Sequence, residues 1–413
     1  MKLLSPHYDV AIVGAGIVGL GQAWAAAKTG RRVIVLEKTR QPLGASIRNF
    51  GMIWPIGQPA GTRLEIALAG RKLWLELAAE TGLYCRSSGA VFVATDADEA
   101  DVMREFADMG PRLGYQVHYL DHQQVVDASR FVRKQDAIAG LFSETELNID
   151  PRQAVVALAN HLQSRHEVRI CWQTPVTHFC NGALVTAHGD RIQADRFLIS
   201  QGDDAIHLFP AAMTGVELVS CKLHMLRSEA IAQDMGPMLA TGLTLRHYES
   251  FQSCRSLDAY RGRIARQWPD LDRFGIHVMV SQARTGELVL GDSHQYGQDI
   301  SPFHDECIDQ MILQALRERF VLPPAPVQRW QGHYLKRLGH TLYVADVGPD
   351  VRIVNALGGN GMTMALGIAE RMWQCWEDSE LLRGLPDNAK ASPSPHAAKL
   401  QHRDEANEAM RDQ

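Results

Sequence analysis

The chain is 413 residues long, 46% hydrophobic and 22% charged, with a formal net charge of −5. That length exceeds what one simple core fills and predicts two domains, while the acidic balance argues against nucleic-acid and anionic-membrane partners. Seven scattered cysteines without CxxC spacing, and no run of about 18 apolar residues, argue against a disulfide framework, a zinc site and a membrane span, and predict a cytoplasmic protein.

In chain order, MKLLSPHYDV lacks a signal-peptide core and runs into a strand, YDVAIV, at 8–13. GAGIVG follows, then an alanine-rich helix ending at Gly30 and a second strand, VIVLE, at 33–37, which together make a β-α-β unit. The stretch GASIRNFGMIWPIGQPAG (44–61) is neither helix nor strand, and a helix is predicted over 65–82. Alternating strand patterns come next in GAVFVAT, YQVHYLD and AGLFSET. Asp150 as cap and Pro151 in the first turn predict a helix over 151–164. VRICW, ALVTAHGDRIQADRFLIS and QGDDA read as short strands, and 216–297 as strand-rich with long loops, including HVMVSQ and GELVLGD. Residues 303–320 read as helical, TLYVADV and RIVNAL as strands, and the chain after about Pro386 as a disordered polar tail.

Gly14-Ala15-Gly16-Ile17-Val18-Gly19 is GxGxxG between strand and helix, with Glu37 closing the next strand. Glycines there permit a tight turn and let a pyrophosphate approach the helix N-terminus, and the acid suits ribose hydroxyls while disfavouring a 2′-phosphate. Far downstream, Gly358-Gly359-Asn360-Gly361-Met362-Thr363 opens a helix after a buried strand. Alone it reads equally as a plain strand-to-helix turn. Paired with the first motif it predicts one ligand, a flavin dinucleotide, stretched across both, with a helix N-terminus at the flavin's pyrimidine edge.

DVAIVGAGIVGLGQAWAAAKTGRRVIVLEK, GASIRNFGMI and GGNGMTMALGIAE together resemble the FAD-dependent D-amino-acid, glycine and sarcosine oxidase family over about residues 7–376. SIRNFGMIWPIGQPAG is similar to a branch of it associated with bacterial phosphonate catabolism. The resemblance implies an α/β fold: a Rossmann-type FAD-binding domain from 1–83, 150–215 and 328–384, a mixed or antiparallel-sheet substrate domain from 84–149 and 216–327, and the tail 385–413. It implies that Lys38, Ser46, Arg48, Asn49, Gly51, Met52, Val176 and Gly202 contact FAD beside the two glycine motifs. FAD is expected to be noncovalent, because no cysteine falls in 334–339, where some relatives attach it.

Relatives that oxidise amino acids hold the carboxylate with arginine and tyrosine, yet His333-Tyr334 stands here where many carry an arginine. Arg246, His247 and Tyr248, with Tyr334, Lys336 and Arg337, become the candidates for holding and orienting the substrate, although each arginine also reads as an ordinary surface charge. His333 and His340 lack a third ligand at useful spacing, so no metal is expected. The activity implied is oxidation of the C–N bond of a small aminophosphonate, 2-aminoethylphosphonate or its N-methyl form, with oxygen as acceptor. Alternatives are a sarcosine, glycine or D-amino-acid oxidase or dehydrogenase, a tRNA-modifying flavoprotein, and a non-enzymatic FAD-binding module.

Overall fold

The computed structural model describes residues 7–204, 207–322 and 326–376. Its first sheet is built on five parallel strands in the order Arg169–Cys171, Val33–Leu36, Tyr8–Val13, Arg191–Ile199, Val351–Asn355. Tyr343–Gly348 adds antiparallel at one edge, and Val176–Cys180 with Ala183–Thr186 adds antiparallel beside Arg191–Ile199. VIVL is buried at all four positions, as a strand covered on both faces must be. The helices Ile17–Lys28, Thr62–Thr81, Pro151–Arg165 and Gly361–Gln374 cover one face and share a core with Val10, Ile12, Val33 and Val35. Asp150 caps its helix as expected, accepting a hydrogen bond from the Arg152 amide.

Two of these helices meet backbone to backbone. A Cβ at Gly367 would lie 2.2 Å from the Ile66 carbonyl oxygen, and one at Gly70 would lie 2.5 Å from that of Thr363. Only glycine permits this approach, and it sets the start of the last helix beneath the second sheet.

That second sheet has nine strands, in the order Gln295–Gly297, Leu218–Ala230, Glu287–Gly291, Met279–Gln282, Met238–Thr241, Ala90–Ala94, Ala139–Ser143, Val117–Leu120, with Pro326–Arg337 also pairing Leu218–Ala230. Neighbours run antiparallel except Met238–Thr241 beside Ala90–Ala94. A small sheet of Met52–Ile53, Leu147–Ile149 and Cys85–Arg86 joins the two layers.

Several elements differ from the expectation. Helices at Ala97–Met109, His122–Ala128 and Leu257–Gln267 occupy stretches read as strands and loops. The last buries only Leu257, Tyr260 and Ile264, too thin an apolar stripe to show in a polar segment. QGDDA is not a strand: Gly202–Asp204 is a 3-10 turn, with Gly202 at φ +66°. The boundary expected at 328 falls inside Pro326–Arg337, whose pairing with Leu218–Ala230 keeps that strand in the second sheet. The expected disordered tail lies outside the described residues. Among the described residues no helix is long and apolar enough to cross a membrane.

Candidate active site

A cavity of about 450 Å³ lies between the two sheets, with Gly14, Gly16, Ile17, Val18, Glu37 and Lys38 at one end. Gly14 takes φ +102°, and a Cβ there would meet the Ser200 carbonyl oxygen at 2.2 Å, so the turn is closed to any other residue. The first helix starts at this wall with no acid in its first turn and no side chain from its own cap, Gly16. Its amides are thus available to an anion, and Ser46 Oγ already accepts from the Ile17 amide at 3.0 Å. The Glu37 carboxylate is aimed by the Ala15 amide (2.8 Å) and the Thr39 amide (2.9 Å). Lys38 pairs with Asp204. An uncapped helix start and an oriented carboxylate along one wall fit the adenosine diphosphate half of FAD.

The stretch 44–61 ties this end to the other. Asn49 Nδ2 donates to the Ala45 and Ser46 carbonyls (3.0 and 3.1 Å), and its Oδ1 accepts from the Gly51 amide (2.9 Å), locking the turn. The Arg48 carbonyl accepts from Trp330 Nε1 (3.1 Å). Thr363 Oγ1 accepts from the Trp54 amide (2.9 Å), and Gln58 Nε2 donates to Asn360 Oδ1 (2.9 Å). A stretch with this many glycines and prolines is therefore a bracket between the two glycine motifs. Trp54, read from sequence as a core aromatic, is buried against Phe92 and Tyr248 and also lines the cavity.

At the far end Gly358, Gly359 and Asn360 form a turn and Gly361 starts the last helix, again with no capping side chain and no acid in the first turn. These residues, Gly202, Met362 and Thr363 all line the cavity, as do Ser46, Arg48, Asn49 and Met52. Above the turn hangs Tyr334, whose hydroxyl would lie 3.4 Å from a Cβ at Gly359. Burial raises the Tyr334 and Tyr296 phenols well above their usual range and pushes the adjoining Cys221 thiol up to about 12. Lys336 Nζ lies 5.9 Å from the Tyr296 ring centre.

The roof holds three imidazoles. The His277 ring lies 3.8 Å from His247 and 4.8 Å from His294, and the last two are 4.5 Å apart. Asp292 Oδ1 is 3.5 Å from His277 Nε2, and Asp292 Oδ2 is 3.9 Å from His294 Nε2. Both ring nitrogens of His277 and Asp292 Oδ1 are buried without a hydrogen-bond partner. Burial, then His294 and Arg246, holds the His277 imidazole well below its usual range, and burial holds the Asp292 carboxyl well above its own. In each case burial disfavours the charged form.

Not every sequence candidate reaches the cavity. His247, Tyr248, Tyr334 and Lys336 line it, but Arg246 and Arg337 do not. Arg246 ends the turn Gly242–Arg246 pointing away, ion-paired with Asp272 and donating to the Ile276 carbonyl at 3.2 Å. Strand alternation puts Arg337 on the face opposite Tyr334, over the Tyr343 ring at 5.7 Å. Gly51 is tight against the Ile149 carbonyl (2.0 Å for a Cβ) rather than against the cavity, and Val176 packs into the core on the other side of the first sheet. Ala15 and Gly19 sit behind the wall, where a Cβ on Gly19 would meet the Gly14 carbonyl oxygen at 1.9 Å. Sequence reasoning missed His277, Asp292, His294 and Tyr296. Their signal was a hairpin: pairing Met279 with Gly291 carries His277 and Asp292-Ser293-His294 to the same sheet end.

Among the described residues, two groups of three bring possible ligand atoms within 4.8 Å of one another: His247, His277 and His294, and His224, His304 and Asp309. The second already has a cation, since Arg329 Nε lies 2.6 Å from Asp309 Oδ2. His333 and His340 line the cavity, but neither belongs to these groups.

The fold and the dinucleotide-shaped cavity are those of a flavoprotein oxidoreductase, and the family model "FAD dependent oxidoreductase" (DAO) matches residues 9–374. The chain belongs to that family, and FAD is its cofactor. Among curated proteins it is similar to one of the subunits of the opine oxidase of Rhizobium meliloti, 26% identical over 255 residues, covering 57% of this chain and 67% of that one. It is also similar to glycine oxidase of Geobacillus kaustophilus, 29% identical over 164 residues, spanning only 38% of each chain. Among solved structures, L-alpha-glycerophosphate oxidase from Mycoplasma pneumoniae with FAD bound superposes with a TM-score of 0.71 at 18% identity, over 89% of this chain and 94% of that one. That likeness is one of fold.

Proposed function

We propose that the protein oxidises the C–N bond of a small amine carrying an anionic group, an aminophosphonate such as 2-aminoethylphosphonate or its N-methyl derivative. The imine formed hydrolyses to phosphonoacetaldehyde and the free amine. The observation that carries this reading is the cavity itself, which runs from the two glycine motifs to a roof of hydrogen-bonding side chains with no arginine of the expected clamp in it. Bound FAD, held noncovalently, supplies a hydride acceptor at N5. The residues of the chain supply the rest. Tyr334 and His277, buried, with the half-buried Tyr296 and Tyr248, keep water from the reacting carbon. Tyr334 and Lys336, on one face of the same strand, hold the substrate over the glycine turn.

A second reading keeps the chemistry with a carboxylate in place of the phosphonate, and the names of the two curated relatives favour it. Anaerobic mixing of the flavin-loaded protein with 2-aminoethylphosphonate, its N-methyl form, sarcosine, glycine and D-alanine separates the two. Bleaching of the flavin by a phosphonate amine alone is the expected result. Bleaching by sarcosine, glycine or D-alanine alone would leave amine oxidation standing and overturn the phosphonate. We propose oxygen as the acceptor, so peroxide should appear on admission of air.

A further inference from the structure

We infer that His247, His277, His294 and Asp292 form a subsite for a tetrahedral oxyanion, the end of the substrate away from the flavin. This rests on the proposed oxidation of an anionic amine and names what receives the anion. Side chains that bear a full charge and line the cavity are committed elsewhere. Arg63 is held by Glu249 through two hydrogen bonds of 2.6 and 3.1 Å, Lys38 by Asp204, and Arg48 lies by the first helix with its guanidinium near the Gln331 carbonyl. Lys336 remains, 5.9 Å from the Tyr296 ring that borders His294.

What converges on the roof instead is a set of compact polar groups, with His294 Nδ1 3.3 Å from the Gly275 carbonyl. The three imidazoles bring ring nitrogens within 4.8 Å of one another, one for each of three oxygens on a tetrahedral centre, where a carboxylate offers only two. His277 is 2% exposed and Asp292 4%. Neither His277 nitrogen, nor Asp292 Oδ1, has a hydrogen-bond partner in the folded chain, a cost that a bound ligand would remove. Burial disfavours ionisation of the Asp292 carboxyl, and its protonated form contributes a donor where an ionised one would repel the ligand. Facing this group from the neighbouring elements are Tyr248, Tyr296, Arg246 behind His277, and Glu146 beyond Tyr248.

The test uses an anion that cannot be oxidised, so that it does not depend on the amine chemistry. Methylphosphonate is titrated into the FAD-loaded protein and binding is read from the flavin spectrum, with acetate as the planar control and the metal content of the same sample measured. Methylphosphonate should bind at least about 10-fold more tightly than acetate, and His277→Phe and His294→Phe, which keep an aromatic ring but remove its nitrogens, should each weaken it about 10-fold or more while retaining FAD. Equal affinity for the two anions, or both variants binding like the parent, would overturn the subsite. So would a stoichiometric transition metal whose removal abolishes binding, since the imidazoles would then be its ligands. If methylphosphonate binds as expected yet no amine bleaches the flavin, the oxidation has failed and the subsite has not.

Discussion

At the scale of single residues, charge type misleads and burial decides. Arg246 has the chemistry of an anion clamp, but its side chain is 10% exposed and faces Asp272, itself 18% exposed. Arg246→Ala should therefore cost roughly 3 kcal/mol of stability, because it strands a mostly buried carboxylate, and should leave the Michaelis constant of the accepted amine within about 2-fold of the parent, well under one kcal/mol. A thermal melt and steady-state kinetics on one preparation check both, and a large Michaelis effect without a melt shift would put Arg246 back in the cavity. Asp292 behaves in the opposite sense. Burial keeps its carboxyl protonated where an unfolded aspartate has ionised, so folding takes up a proton and stability falls as pH rises from about 4 toward the raised value. Asp292→Asn keeps the neutral form, and its stability relative to the parent should grow as pH rises above about 4, where an unfolded aspartate ionises. A relative stability that shrinks with rising pH would mean that Asp292 is ionised in the fold, balanced by a protonated imidazole.

At the scale of elements, the two glycine motifs work only because helices deliver them. The last helix reaches the cavity floor because Gly367 lies against Ile66 and Gly70 against Thr363. Gly367→Val forces this crossing apart, at a cost of about 1–3 kcal/mol or more. The displaced helix start should also lower FAD content, read as flavin absorbance per protein. A variant that melts early but keeps full FAD would separate the packing from the cofactor site. Elements with a strong period or cap were legible beforehand. The strand VIVL, the Asp150-capped helix and the glycine turn before Gly361 lie where their local chemistry put them. The helix Leu257–Gln267 was not legible, because its three buried residues derive their partners from Ala97–Met109 and the second sheet, which no window of local sequence contains.

At the scale of the whole molecule, the family and its FAD cofactor follow from motifs about 340 residues apart that close onto one cavity. GxGxxG, Glu37 and the 358–363 turn were readable because each is a local backbone requirement: a positive φ, a helix start, an acid at a strand end. The sequence by itself thus determined the nucleotide-binding unit, the class of cofactor and several strands of each sheet. Tertiary structure alone decided which polar side chains meet at the far end. His247 comes from a turn, His277 and His294 from the two arms of a hairpin, and Tyr334 from a strand at the far side of the second sheet. Histidine, aspartate and tyrosine carry no period that announces burial. Their roles depend on register and on which face of a sheet each residue occupies, and a one-residue slip in either would have sent them to the other side.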